Sequence, residues 1–250
     1  MHNALILHYE PVAGQTIPAE VLTTQLALLK KLKIPVVSLE QLVENNYLRR
    51  RWHRHVVVLS CTSTFLARNP TVFKTFKTAG FPLTVFVAAS EEPNEMQQDF
   101  LQKVKAAGFS VGLHSVSEVA FTRLPAIELQ QQLRYLKAML EAETESLVRY
   151  LLPAAHDCNK RFMSGAREIG FEALLTRKTG YNKFNADLFR LKTWSVPPQT
   201  SLHVFEKMVC RDKKELVLQD VKAKALKTGS KLRQKSLFGK LKGLLRRVRV

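Results

Sequence analysis

The chain has 250 residues, 46% of them hydrophobic, which suffices for one substantial core and makes a single main domain the expectation. Its formal net charge is +18, yet residues 222–250 hold eleven Lys or Arg and no acidic residue, leaving +7 for everything before them, so the basicity belongs mainly to a C-terminal tail. Cys61, Cys158 and Cys210 match neither a disulfide framework nor a zinc ribbon and read as reduced thiols; the opening MHNALILHYEP has no basic leader pattern, and no run approaches the ~20 apolar residues of a spanning helix. A cytoplasmic placement is the expectation.

Short apolar runs alternate with amphipathic segments, the pattern of parallel strands joined by helices. Residues 4–8 form the first strand. From Pro18 a helix carries Leu22, Leu26, Leu29 and Leu32 on one face and ends before Pro35. Val36 and Val37 make a short strand, and Ser38 with Gln41 reads as a capping box opening the next helix. A strand over 55–59, a helix over 70–79 closed by Gly80 and a strand over 83–88 follow. The scheme repeats with a helix over 96–107, Gly108 and a strand over 109–114. A long helix from 125 to about 145 buries Leu129, Leu133, Leu136 and Leu140. Beyond it come a strand over 147–152, a helix over 161–170, a strand over 173–176 and an extended segment over 188–196.

Three blocks carry the chemistry. The first runs VVVLSCTSTFLARNPTVFKTFKTAGFPLTVFVAAS from Val56 to Ser90, the second is Gly112-Leu113-His114-Ser115-Val116-Ser117-Glu118, and the third begins RYLLPAAHDCNKRF. Together with QLALLKKLKIPVVSLEQL and LFRLKTWSVPP they resemble the polysaccharide deacetylases (carbohydrate esterase family four, the NodB-homology domain) over roughly residues 4 to 210. That resemblance implies a distorted (β/α) barrel over 1–210, an α/β fold, with 211–250 as a separate basic amphipathic helical tail. In the family the first strand block ends in T-F-D-D-G, whose aspartates are catalytic base and metal ligand; Ser60, Cys61, Thr62, Ser63 and Thr64 stand there instead. The second block's two metal histidines correspond to His114 and Glu118, so a metal would be held by His114 and Glu118 at most. In the third block Pro153 is kept, and His156 and Asp157 are added polar residues. The closing segment puts Arg190 and Trp194 near the rim.

Barrel active sites lie at the C-terminal ends of strands, which gathers His8, Glu10, Thr62, Ser63, His114, Glu118, His156 and Asp157 on one face, with Arg190 and Trp194 as further cleft candidates. These residues either form a remodelled metal or sugar site or are independent polar loop residues. Neither Thr62 nor Ser63 has an identifiable base beside it, and Cys61 reads as a packed core thiol. The preferred reading is a catalytically degenerate protein that binds a glycan, a lipid-linked sugar or a biosynthetic partner protein and needs no cofactor. The alternative is an active metal-dependent N-deacetylase or deformylase using zinc or another divalent metal in a rebuilt ligand set. The family implies a setting in surface-glycan or lipid-linked sugar metabolism.

In the tail, Leu237, Leu241, Leu244, Leu245 and Val248 share one helical face with Phe238 at its edge, and Lys240, Lys242, Arg246, Arg247 and Arg249 cover the other. Such a segment gains order when its apolar face enters a lipid headgroup layer, with about 1 kcal/mol more for each basic residue near anionic lipid. Peripheral attachment at the inner membrane surface is the expectation; docking on the barrel or on a partner protein remains open. Nucleic acid is disfavoured, since the tail has a single aromatic residue. The cluster Arg49, Arg50, Arg51, His53, Arg54 and His55 reads as a solvated connection that could help approach acidic surfaces.

Overall fold

The structure, a computed structural model, describes residues 3–12, 14–88, 95–115, 123–153 and 158–210. Seven parallel strands close in chain order into a barrel: β1 (Ala4–Tyr9), β2 (Val56–Thr62), β3 (Leu83–Ala88), β4 (Ser110–Ser115), β5 (Tyr150–Pro153), β6 (Ala173–Thr176) and β7 (Leu191–Ser195), the last pairing back on β1. The connections carry α1 (Ala19–Lys31), α2 (Leu39–Tyr47), α3 (Ser63–Ala67), α4 (Pro70–Ala79), α5 (Glu95–Ala106), α6 (Ala126–Thr144) and α7 (Lys160–Glu168). The expected (β/α) barrel is therefore the fold observed. A second unit begins at His203 and takes in most of α8 (Leu202–Val209), in which Phe205, Met208 and Val209 are buried. The tail residues 211–250, and with them every tail position named above, lie outside the described residues. Among the described residues no helix is long and apolar enough to cross a membrane.

Local sequence explains three of the helix starts. The Ser38 hydroxyl accepts from Gln41 N at 3.0 Å while the Gln41 side chain accepts from Ser38 N at 2.9 Å, the expected capping box. Asn69 and Asn159 cap α4 and α7 through their side-chain oxygens. Gly80 closes α4 at φ 70, a backbone conformation that a Cβ disfavours. Leu129, Leu133, Leu136 and Leu140 are the buried stripe of α6.

Three expectations are corrected, and one short helix is added. Val36 makes a single bridge to Val57 in place of a strand, because Pro35 and the Ser38 cap leave room for no more. β5 starts at Tyr150, three residues later than expected, with Leu147 left exposed before it. The segment at 188–190 is a 3-10 turn capped by the Asp187 carboxylate before β7 begins. A short helix, α3, starts at Ser63 directly beyond β2, where periodicity gave no signal over so few residues.

Strand register sorts inward from outward side chains. The Tyr9 hydroxyl donates to Gln25 on α1 at 3.1 Å and its ring packs against Phe65 and Phe76, so Leu5, Leu7 and Tyr9 face the helices. Ile6 and His8 therefore face the barrel axis, since successive side chains alternate. Register partners share a face, so His8, Ser60, Thr84 and Ser110 form one interior layer, with Ser195 beside His8 across the closure. Thr62, Phe86 and Gly112 form the next, and Ala88, His114 and Leu152 cap it. Gly112 is required there: a Cβ would stand 2.6 Å from the Phe86 ring. Cys61 faces outward, fully buried, as a core thiol whose pKa burial pushes well up.

Candidate functional site

Because the strands are parallel, their C-terminal ends open on one mouth, and β1 delivers His8 and Glu10 to it. His8 is 3% exposed. Its Nδ1 lies 3.0 Å from the Ser60 hydroxyl, and that hydroxyl donates its single proton to the Leu7 carbonyl at 3.2 Å. Ser60 must then accept, so Nδ1 is the donor and Nε2 holds the free lone pair. With Nδ1 tied toward β2, Nε2 occupies the distal ring edge, buried and without a hydrogen-bond partner among the described residues. Burial first, and the Arg177 charge second, pull the His8 pKa down to about 3.

β4 brings His114 into the same field. Its pKa falls to about 4, first through burial and then through His8 and Arg177, with Glu10 pulling the other way. Both imidazoles are consequently uncharged near neutrality. Glu10 itself is occupied: Arg177, immediately beyond β6, donates Nη1 and Nη2 to its two oxygens at 2.8 and 2.6 Å, and Ser195 donates to Oε1 at 3.3 Å. The fork geometry orients the carboxylate and shields it. At the end of β2 the Thr62 hydroxyl is buried against the Thr64 hydroxyl at 3.1 Å, and Ser63 opens α3.

The structure thus brings His8, Glu10, Thr62, Ser63 and His114 to one mouth. Glu118, His156 and Asp157 lie outside the described residues. Arg190 and Trp194 are placed elsewhere than expected. Arg190 sits in the 3-10 turn before β7, at the opposite end of that strand from the mouth, and pairs with Asp187 at 3.4 Å. Trp194 is the register partner of outward-facing Leu7 and is 2% exposed, so its indole belongs to the packing outside the strands. Sequence reading missed Ser60, Arg177 and Ser195 as site residues. The rule that gathered the others, position at a strand's C-terminal end, points to Arg177 and Ser195 as well.

The donor set decides what chemistry fits. The divalent metal implied by the resemblance needs several N or O donors at one point. Hydroxyls stand where the resemblance puts two carboxylates, and among the described residues no group of three or more His, Cys, Asp or Glu is arranged to hold a metal ion. The described mouth does not fit that metal. As bases, a hydroxyl is far too weak near neutral pH, and an imidazole whose conjugate acid has a pKa of about 3 or 4 gives little driving force for proton abstraction. What the described mouth holds is two uncharged imidazoles, the Thr62 hydroxyl and the Glu10–Arg177 pair.

Comparison with known proteins agrees with this architecture. The polysaccharide deacetylase family model matches residues 55–174. Among solved structures, the deacetylase PplD of Streptococcus pyogenes, in complex with acetate, is 14% identical with a TM-score of 0.71, covering 83% of this chain and 97% of that one. IcaB from Ammonifex degensii is 17% identical with a TM-score of 0.70, covering 84% and 97% respectively. The BpsB deacetylase domain from Bordetella bronchiseptica is 14% identical with a TM-score of 0.64, covering 78% and 96%. At these identities the likeness is one of fold. No curated protein matches the chain.

Proposed function

We infer, from a chain that is a divergent member of the polysaccharide deacetylase family, that it keeps the family's barrel as a glycan-binding mouth and has lost the hydrolytic chemistry. The observation that carries this reading is the end of β2: Thr62 and Ser63 occupy the turn where the family has its base and metal-ligand aspartates, and the carboxylate among the described mouth residues, Glu10, is clamped by Arg177. The ligand is an amino-sugar oligomer or a lipid-linked sugar, in keeping with the family, and the setting is surface-glycan metabolism. The tail, by the apolar and basic faces of its sequence, attaches the protein peripherally to anionic lipid at the inner membrane surface.

The test compares hydrolysis with binding. Acetate release from N-acetylated glucosamine oligomers stays at background with added zinc or cobalt, metal analysis of the purified protein finds no stoichiometric zinc, and calorimetry detects binding of the same oligomers. Robust turnover that His114→Ala abolishes would overturn this reading in favour of an active deacetylase whose ligand set is rebuilt from His114, Glu118, His156 and Asp157.

A further inference from the structure

The opposite end of the barrel carries an exposed surface that the glycan reading leaves unused. From Asn45 to Ser90 the chain has no Asp or Glu, and the run Tyr47-Leu48-Arg49-Arg50-Arg51-Trp52-His53-Arg54 falls at the start of that stretch, just before β2. Tyr47 is 61% and Leu48 49% exposed. They are held in place. The Asn46 amide donates to the Phe184 and Ala186 carbonyls at 3.1 and 2.9 Å, and Arg51 lies over the Phe184 ring at 4.7 Å. Arg49 turns the chain at φ 51, with Arg49 N and Arg50 N returning to the Asn46 and Asn45 carbonyls. Among the described residues no hydrogen bond or ion pair engages the Arg49 or Arg50 guanidinium.

We propose that this end of the barrel is a docking surface for an anionic phospholipid bilayer, with Tyr47 and Leu48 entering the headgroup layer and Arg49 and Arg50 pairing with lipid phosphate. Two apolar side chains on a pinned helix end lose little entropy on insertion, and guanidinium groups match phosphate through paired donors. The cation excess selects anionic over neutral lipid, and the adjoining Leu and Tyr favour a surface with an apolar interior over a purely ionic one. The surface acts apart from the tail. Seated this way, the barrel turns its His8 and His114 mouth away from the bilayer.

The test uses the full chain with Trp194→Phe, which leaves Trp52, half-buried in this surface, as the single tryptophan. Vesicles of phosphatidylcholine with phosphatidylglycerol, carrying headgroup-level spin-labelled lipid, quench Trp52; vesicles of phosphatidylcholine alone do not. Tyr47→Ser with Leu48→Ser weakens vesicle binding about tenfold. Arg49→Gln with Arg50→Gln does so by about tenfold at low salt and by less as salt rises. Vesicle binding with Trp52 unquenched and both double variants unaffected would assign attachment to the tail alone and overturn the proposal, while Leu241→Asp with Leu245→Asp tests the tail separately. Indifference to vesicles, with retention on a single-stranded oligonucleotide that Arg49→Gln and Arg50→Gln abolish, would make the surface a nucleic-acid site and overturn it equally.

Discussion

Lowering the pH from 7 to 5 should destabilise this barrel through two histidines. His8 and His114 have pKa values of about 3 and about 4 in the fold, against an ordinary value near 6.5 in the unfolded chain. Between those limits the unfolded chain binds protons that the folded chain refuses, so stability falls as pH falls, starting near 6.5 and continuing toward 4 for His114 and toward 3 for His8. Protonating one ordinary imidazole favours the unfolded chain by about 2 kcal/mol between pH 7 and 5, so the pair accounts for about 4 kcal/mol, a large share of a typical domain's stability. Urea denaturation at pH 7, 6 and 5 measures it. His8→Asn keeps a donor for Ser60 and removes the titrating group, and should halve the loss. An unfolding free energy that is flat between pH 7 and 5, or an Asn variant with the wild-type slope, would refute the burial and tautomer argument for the mouth.

Two further outcomes bear on the same interior. Gly112→Ala places a Cβ 2.6 Å from the Phe86 ring and 3.2 Å from the Tyr150 carbonyl, and should cost about 1–3 kcal/mol in denaturant unfolding, part of it recovered by adding Phe86→Leu. Glu10→Ala leaves the Arg177 guanidinium without its carboxylate and should cost about 1–2 kcal/mol, a figure reduced because Arg177 is a third exposed; the double variant Glu10→Ala with Arg177→Ala should be less destabilised than the two losses added, as a double-mutant cycle will show.

By itself the sequence determined the alternation of strands and helices that closes into the barrel, and the hydroxyl residues that end β2. Alternating strand and helix periods, the Ser38 and Gln41 cap, the Gly80 stop and the leucine stripe of α6 are local signals, set by neighbours within a few residues, and each appears where the sequence places it. The identities of Thr62 and Ser63 are likewise a property of the chain alone. Over short helices and turns the local pattern carries no signal: α3 spans only five residues, and Arg190, which the closing segment's resemblance puts near the rim, lies in the three-residue turn before β7. Only the tertiary structure decided that Glu10 meets Arg177 across 167 positions and that Ser60 sets the tautomer of His8 across 52, because both contacts depend on register around a closed barrel. It also decided which way Trp194 faces. Alternation gives each strand two sides, and the side that becomes the interior is fixed by what the neighbouring strands and helices bury.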